Sequence, residues 1–286
     1  GDLLMALDRN AVGRTTGPSE VSWDSRDAML YALGVGAGQA DPFGELNLTT
    51  ENSAGHELVM LPAYAVVLTQ RASARPDMGA IDRTKLVHAE QGFTLHKPLP
   101  LQGTARITGT ITGIYDKGSG ALVTSTAEVR DASNNDLLAE TVSAAFIRGE
   151  GGWGGDKGPS GAAPVPTRAP DVEVSSVTRD DQALLYRLSG DRNPLHSDPE
   201  FARRGGFDKP ILHGMCTYGI TSRLLIQAFA GGDPRKVKGL MARFTKPVIP
   251  GDTLTVQAWR EGGEIRFRTL GAGGATVLDL GTLTLA

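Results

Sequence analysis

The stretch YRLSGDRNPLHSDPEFARRGGFDKPILHGMCTYG, Tyr186 to Gly219, decides how this chain is read. An apolar run (Ala183, Leu184, Leu185, Tyr186, Leu188) ends in Ser189-Gly190, and the turn Asp191-Arg192-Asn193-Pro194 follows. Pro194 cannot continue a helix and pushes Asn193 into an extended conformation, so the chain is expected to leave the helix sharply at Gly190. His196 stands five residues after Asp191. On such a turn the two side chains can fold back toward each other and share one small molecule, such as a water. A carboxylate and an imidazole so placed can do concerted acid–base work, worth roughly 10²–10⁴ in rate. Asn193, between them, can hold either side chain or a substrate through its amide. A second histidine, His213, stands before Gly214 and a further apolar run. The bland alternative is a plain helix-terminating turn, because Asp, Asn, Gly and Pro favour turns for backbone reasons alone.

Outward from this stretch, the 286 residues suffice for two domains of about 100–150 residues or one large one. The 29 basic and 32 acidic residues leave a net charge of −3, which argues against a nucleic-acid or membrane-surface partner, since both want a basic face. No apolar run is long enough to span a membrane. Cys216 is the only cysteine, so no internal disulfide can form. A lone cysteine suits a reducing compartment, and neither a signal peptide nor a peroxisomal address is visible; a cytoplasmic location is expected.

Asp24-Ser25-Arg26-Asp27 opens a helix with Ala28 to Leu33 as its body, ended by Gly34-Val35-Gly36. Leu58 to Leu68 is apolar and expected to be buried. The segments 86–95, 105–115, 121–129 and 137–147 read as four antiparallel strands joined by hairpins, with Asp116-Lys117-Gly118-Ser119-Gly120 as one turn. Residues 149–170 are rich in glycine and proline, without periodicity, and read as a linker. Beyond it come a strand (172–177), a helix (180–188), the turn above, a long apolar helix (214–230) and four strands (238–244, 253–260, 264–270, 275–285).

The halves look like copies. Ala28 to Gly36 lies against Ala183 to Asp191 at an offset of 155, and Phe93 to Pro100 lies against Phe244 to Pro250 at an offset of 149 for Lys97 and Lys246, allowing gaps. Gly36 matches Asp191, and nothing in the first half matches His196, so only the second copy carries the pair. We therefore expect an N-terminal domain over 1–149 without the pair, a linker over 150–170 and a C-terminal domain over 171–286. Each is expected to hold one long helix and a run of antiparallel strands.

The string Tyr186-Arg187-Leu188-Ser189-Gly190-Asp191-Arg192-Asn193-Pro194-Leu195-His196 resembles, without departure, the signature of the (R)-specific enoyl-CoA hydratases, the hydratase 2 or MaoC-like dehydratase family. The resemblance extends over nearly the whole chain. It implies an α+β double hot-dog fold, two curved antiparallel sheets each wrapped on a central helix. It also implies reversible hydration of trans-2-enoyl-CoA to (3R)-3-hydroxyacyl-CoA. Coenzyme A is then part of the substrate and no separate cofactor is expected. Val87 to Gln91, Lys97 to Pro100 and Asp116 to Gly120 also resemble segments of the family. That likeness puts His88, Ala89, Lys117 and Phe244 on the acyl-CoA. Taken alone, His88 would be a solvent-facing strand residue and Lys117 an ordinary turn lysine. Lys209, Arg243 and Lys246 are further candidates for the phosphates.

Hydration of a 2-enoyl thioester must take a proton from water, return one to C2 and stabilise negative charge on the thioester oxygen. Asp191 and His196 are expected to move the protons as a coupled pair. The backbone N–H of Gly214, at a helix start where N–H groups are unpaired, is the expected oxyanion donor. His213 and Tyr186 read as structural, and Cys216 as a small core residue. Asp191, His196, Asp198 and His213 could be drawn as metal ligands, but no Cys cluster or H-E-x-x-H is present and no metal is expected. Two rival functions are a hot-dog acyl-CoA thioesterase and a non-catalytic acyl-binding or scaffold subunit. A homodimer of double hot dogs is a further expectation.

Overall fold

A computed structural model describes residues 6–286. The first half runs β1 (Thr15–Trp23), α1 (Ser25–Gly34), α2 (Leu46–Thr49), α3 (Tyr64–Arg71), β2 (Leu86–Leu95), β3 (Gly103–Asp116), β4 (Gly120–Asp131) and β5 (Leu137–Arg148). The second runs β6 (Val172–Val177), α4 (Gln182–Tyr186), α5 (Pro199–Arg204), α6 (Gly214–Phe229), β7 (Val237–Phe244), β8 (Thr253–Glu261), β9 (Glu264–Leu270) and β10 (Thr276–Leu285).

All ten strands form one antiparallel sheet in the order β1-β3-β4-β5-β2-β7-β10-β9-β8-β6. Read inward from either edge, the two halves have the same order. They join where β2 pairs with β7, Glu90 opposite Arg243 through Thr94 opposite Gly239. Alternation along β3 and β4 puts Ile107, Ile111, Val123 and Val129 in the core. Eleven of the sixteen residues of α6 are buried, as a helix wrapped by sheet requires. This is the α+β double hot-dog architecture.

The helix α1 starts as its sequence foretells. The Asp24 carboxylate accepts from Asp27 N–H while the Asp27 carboxylate accepts from Asp24 N–H, a reciprocal capping box. It packs on α4, with Gly34 against Tyr186, so the two segments matched by the internal repeat touch.

Three expectations are corrected. Among the described residues the first half holds no long helix: α3, the main helix packed on its strands, has eight residues against sixteen in α6. The segment 72–83 runs on from α3, and a cavity lies between it and the sheet. The helix expected over 180–188 ends at Tyr186, and a 3-10 turn, Arg187–Ser189, carries the chain to Gly190. The glycine-rich connection does not hang free. The buried Asp116 carboxylate accepts hydrogen bonds from the N–H groups of Gly118, Gly152, Gly154 and Gly155. These donors hold its pKa down at about 2. A Cβ on Gly151 would lie 2.5 Å from the Gly118 carbonyl oxygen, so glycine is required for the close approach.

Candidate active site

Gly190 adopts φ 136°, and the chain then passes through Asp191 into a 3-10 turn, Pro194–His196. The turn closes on itself. Asp191 Oδ1 accepts from Asn193 N–H at 3.1 Å, and Asn193 Oδ1 accepts from Leu195 N–H at 3.0 Å. The Asn193 side chain is therefore the cap of this turn, and its carbonyl is not free for a substrate. Only its NH2 group remains available for the role the sequence suggested.

The turn brings Asp191, His196 and His213 together, with one side-chain ligand atom of each within 4.8 Å of the others. His196 Nδ1–H donates to the Ile211 carbonyl at 2.8 Å. In the neutral ring this leaves Nε2 as an open lone pair. Burial lowers the pKa of His196, so that lone pair persists at neutral pH. His213, 1% exposed, donates from Nε2–H to the Asp191 backbone carbonyl at 3.0 Å. Its pKa is lowered to about 4, first by burial and then by the neighbouring His196. Its Nδ1 is buried and unpartnered. Tyr186, buried as expected, packs on the His213 ring at 4.8 Å.

A metal does not suit this trio. The His196 and His213 rings are stacked, 3.8 Å between centroids and 27° between planes. Imidazole lone pairs lie in the ring plane, so two stacked rings cannot both aim at one ion at the ~2.0–2.1 Å of a typical nitrogen ligand. The arrangement fits proton transfer through a bridging water instead.

Gly214 opens α6 and is exposed, and its N–H has no acceptor among the described residues. A Cβ there would touch the Phe244 ring at 3.1 Å. Phe244 in turn packs on His88, with 4.7 Å between ring centroids. His88, Phe244 and Gly214 thus form a continuous wall leading to the His196–His213–Asp191 group.

His88 faces inward because of a bulge. The pairing of β2 with β5 skips Ala89, with His88 opposite Ala145 and Glu90 opposite Ala144. His88 and Gln91 therefore share a face, and their side chains are 3.0 Å apart. Gln91 Nε2 donates to the carbonyls of Gly92 and Val142, so its Oε1 accepts and His88 Nε2–H is the donor. Burial first, then the Arg75 charge, lowers the pKa of His88 to about 4. Strict alternation would have missed Gln91; a single extra residue makes it a wall of the site.

A cavity of about 1060 Å³ runs from Asp191 and Gly190 past His88 and Gln91 beneath the segment 73–81. Lys117 does not line it; its ammonium is held by the Lys157 carbonyl on the connecting segment. Lys209, Arg243 and Lys246 are exposed and also lie off the cavity wall. Asp198 is the N-cap of α5, accepting from Glu200 N–H. Cys216 is fully buried and burial raises its pKa, in keeping with a core role. Among the described residues, no helix is long and apolar enough to cross a membrane.

A double hot-dog sheet with an aspartate–histidine site between its halves defines the class. The chain belongs to the MaoC-like, hydratase 2 family: the MaoC like domain matches residues 162–279 and the MFE-2 hydratase 2 N-terminal domain matches residues 21–149. It is 46% identical to 3-hydroxyacyl-thioester dehydratase Y of Mycobacterium tuberculosis, covering 94% of this chain and 93% of the relative. It is 42% identical to enoyl-CoA hydratase ChsH3 of the same organism, covering 88% of each. Among solved structures, a MaoC-like dehydratase from Phytophthora capsici superposes with a TM-score of 0.86 at 33% identity, covering 97% of this chain and 96% of that one.

Proposed function

We propose that this chain is an (R)-specific enoyl-CoA hydratase, adding water reversibly to trans-2-enoyl-CoA to give (3R)-3-hydroxyacyl-CoA. The carrying observation is the open His196 Nε2 lone pair beside the Asp191 carboxylate, next to the unpaired N–H of Gly214. A water between His196 and Asp191 loses a proton to the pair as its oxygen attacks C3. The pair returns a proton to C2. The developing enolate oxygen takes a hydrogen bond from Gly214 N–H, at the positive end of α6. The bulge at Ala89 opens the backbone for the thioester arm, and Phe244 packs along it. Lys117, on the hairpin at the same end of the sheet, would have to leave the Lys157 carbonyl to meet the carrier's phosphates.

The names of the relatives support this reaction class, and the uninterrupted Ser189 to His196 signature supports the product's 3R configuration. We further propose that the reaction belongs to fatty-acid breakdown in the cytoplasm and that the chain pairs as a homodimer. Gel filtration and cell fractionation test those two points.

The test is loss of enoyl-thioester absorbance for the wild type and Asp191→Asn, with free thiol followed in parallel. A fall of at least ~10² in the variant, without thiol release, upholds the hydratase. Thiol release would indicate a thioesterase, and an inert wild type would indicate a binding subunit.

A further inference from the structure

The cavity wall carries two arginines that the hydration step does not use. Arg75 follows α3, and Arg83 lies in the 3-10 turn that leads into β2. Both line the cavity, and neither has an ion pair or side-chain hydrogen bond among the described residues. Two aspartates share the wall. Asp77 accepts from Gly79 N–H and faces Arg14, while Asp191 belongs to the catalytic turn. The arginines are electrostatic neighbours: crowding by protein lowers the Arg75 pKa, and the Arg83 charge lowers it further. Both side chains are exposed to the water of the cavity, which screens their charges and leaves their N–H donors free for an anion.

The rest of the lining mixes apolar residues, Val67, Met78, Ile81 and Leu86, with polar ones. Ser125 and Ser143 face inward and hydrogen-bond each other at 2.9 Å, beside Gln91 and Thr141. A wall meant only for a plain alkyl chain would be lined with branched apolar side chains.

Building on the proposed hydratase activity, we propose that Arg75 and Arg83 form an anion subsite of the cavity, binding an oxyanion of the substrate through paired guanidinium forks. The chemistry is shared by two sources, a phosphate of the carrier and a carboxylate at the far end of the acyl chain.

The experiment compares wild type with Arg75→Gln/Arg83→Gln on three thioesters: trans-2-octenoyl-CoA, the N-acetylcysteamine thioester of the same acid, and the mono-CoA ester of trans-2-octenedioic acid. If the anion is a carrier phosphate, KM rises ~10–100-fold for both CoA esters and is unchanged for the N-acetylcysteamine ester. If it is an acyl carboxylate, the rise is confined to the diacid ester. A change below about twofold on all three overturns the subsite. Calorimetric titration with inorganic diphosphate and with adipate gives a readout independent of turnover. Tighter binding of either anion by the wild type upholds the subsite, and equal binding by both proteins overturns it. A wild type inert on all three thioesters would sink the hydratase activity, while the titration would still decide the arginines.

Discussion

The imidazoles of His196 and His213 lie face to face, 3.8 Å between centroids, while the second ring donates a hydrogen bond to the backbone carbonyl of Asp191. One buried side chain thus fixes both members of the proposed acid–base pair, one by stacking and the other through its main chain. His213 is 1% exposed, too buried to meet the substrate, so it acts on placement and not on substrate affinity. We expect His213→Ala to lower kcat by ~10–100-fold with KM held, since small misplacements of reacting groups cost about that much. His213→Gln, whose amide N–H can reach the Asp191 carbonyl, should recover part of the loss. Steady-state kinetics on the enoyl thioester decide it, and an equal fall in both variants would refute the hydrogen bond's role.

A buried histidine, His213, and a half-buried one, His88, make the fold sensitive to acid. His88 and His213 stay neutral in the folded protein down to about 4, against a usual 6.5. Between those values the unfolded chain binds more protons, so stability rises with pH. The contribution is complete above about 6.5 and is lost as pH falls toward 4, at up to roughly 1.4 kcal/mol per pH unit for each histidine. Urea midpoints measured from pH 7 down to pH 4 should fall steeply, and His213→Gln should flatten the curve. The acid limb of kcat/KM should also lie below 6.5, because burial lowers His196.

Gly214 offers a clean separation of space from hydrogen bonding. A Cβ at Gly214 meets the Phe244 ring at 3.1 Å, so Gly214→Ala displaces that ring by a few tenths of an ångström. Gly214→Pro adds the same crowding and also deletes the N–H. The backbone tolerates it: Gly214 is the first helical residue, and His213 already has φ −57° and ψ 132°, a conformation compatible with a following proline. We expect Ala to raise KM several-fold. Pro should lose a further ~10²–10³ in kcat with little change in melting temperature. Equal kcat in the two variants would rule out the oxyanion role.

The turn Asp191 to His196 was legible because Gly190, Asp191, Asn193 and Pro194 each restrict or bias the backbone. The strands β2 to β5 and β7 to β10 were legible because they are β-branched and alternate. The strand β1 was not: it is an edge strand, TTGPSEVSW, mostly exposed and interrupted by Gly17-Pro18, so it carries little apolar signal. The docking of residues 151–155 was hidden for the opposite reason. Glycine content signals freedom, and nothing local announces that Asp116, some thirty-six positions earlier, will gather their N–H groups. The roles of Gln91 and Arg75 depended on a bulge and on a loop without periodicity. The short α3 was also invisible, since Leu58 to Leu68 is apolar throughout but becomes helical only from Tyr64.

Where the repeat places Gly36 opposite Asp191, the structure holds a buried ion pair. Arg223 on α6 donates from Nε to the Val35 carbonyl at 2.8 Å and from NH1 to Glu45 Oε1 at 2.7 Å. Its guanidinium lies 3.1 Å from where a Gly36 side chain would begin. The first-half counterpart of the catalytic turn is therefore filled by an arginine from the second half, and α6 is tied across the pseudo-symmetry. Burial disfavours the Arg223 charge and Glu45 restores it. Glu45→Gln or Arg223→Met alone should leave an uncompensated group and cost about 3–5 kcal/mol. The double change Glu45→Leu/Arg223→Met should recover most of that, short of about 1–3 kcal/mol for the Val35 carbonyl left unpaired. Urea unfolding of the wild type and these three variants measures each cost. A Glu45→Gln protein within about 0.5 kcal/mol of wild type would show that the pair is not what joins the halves here.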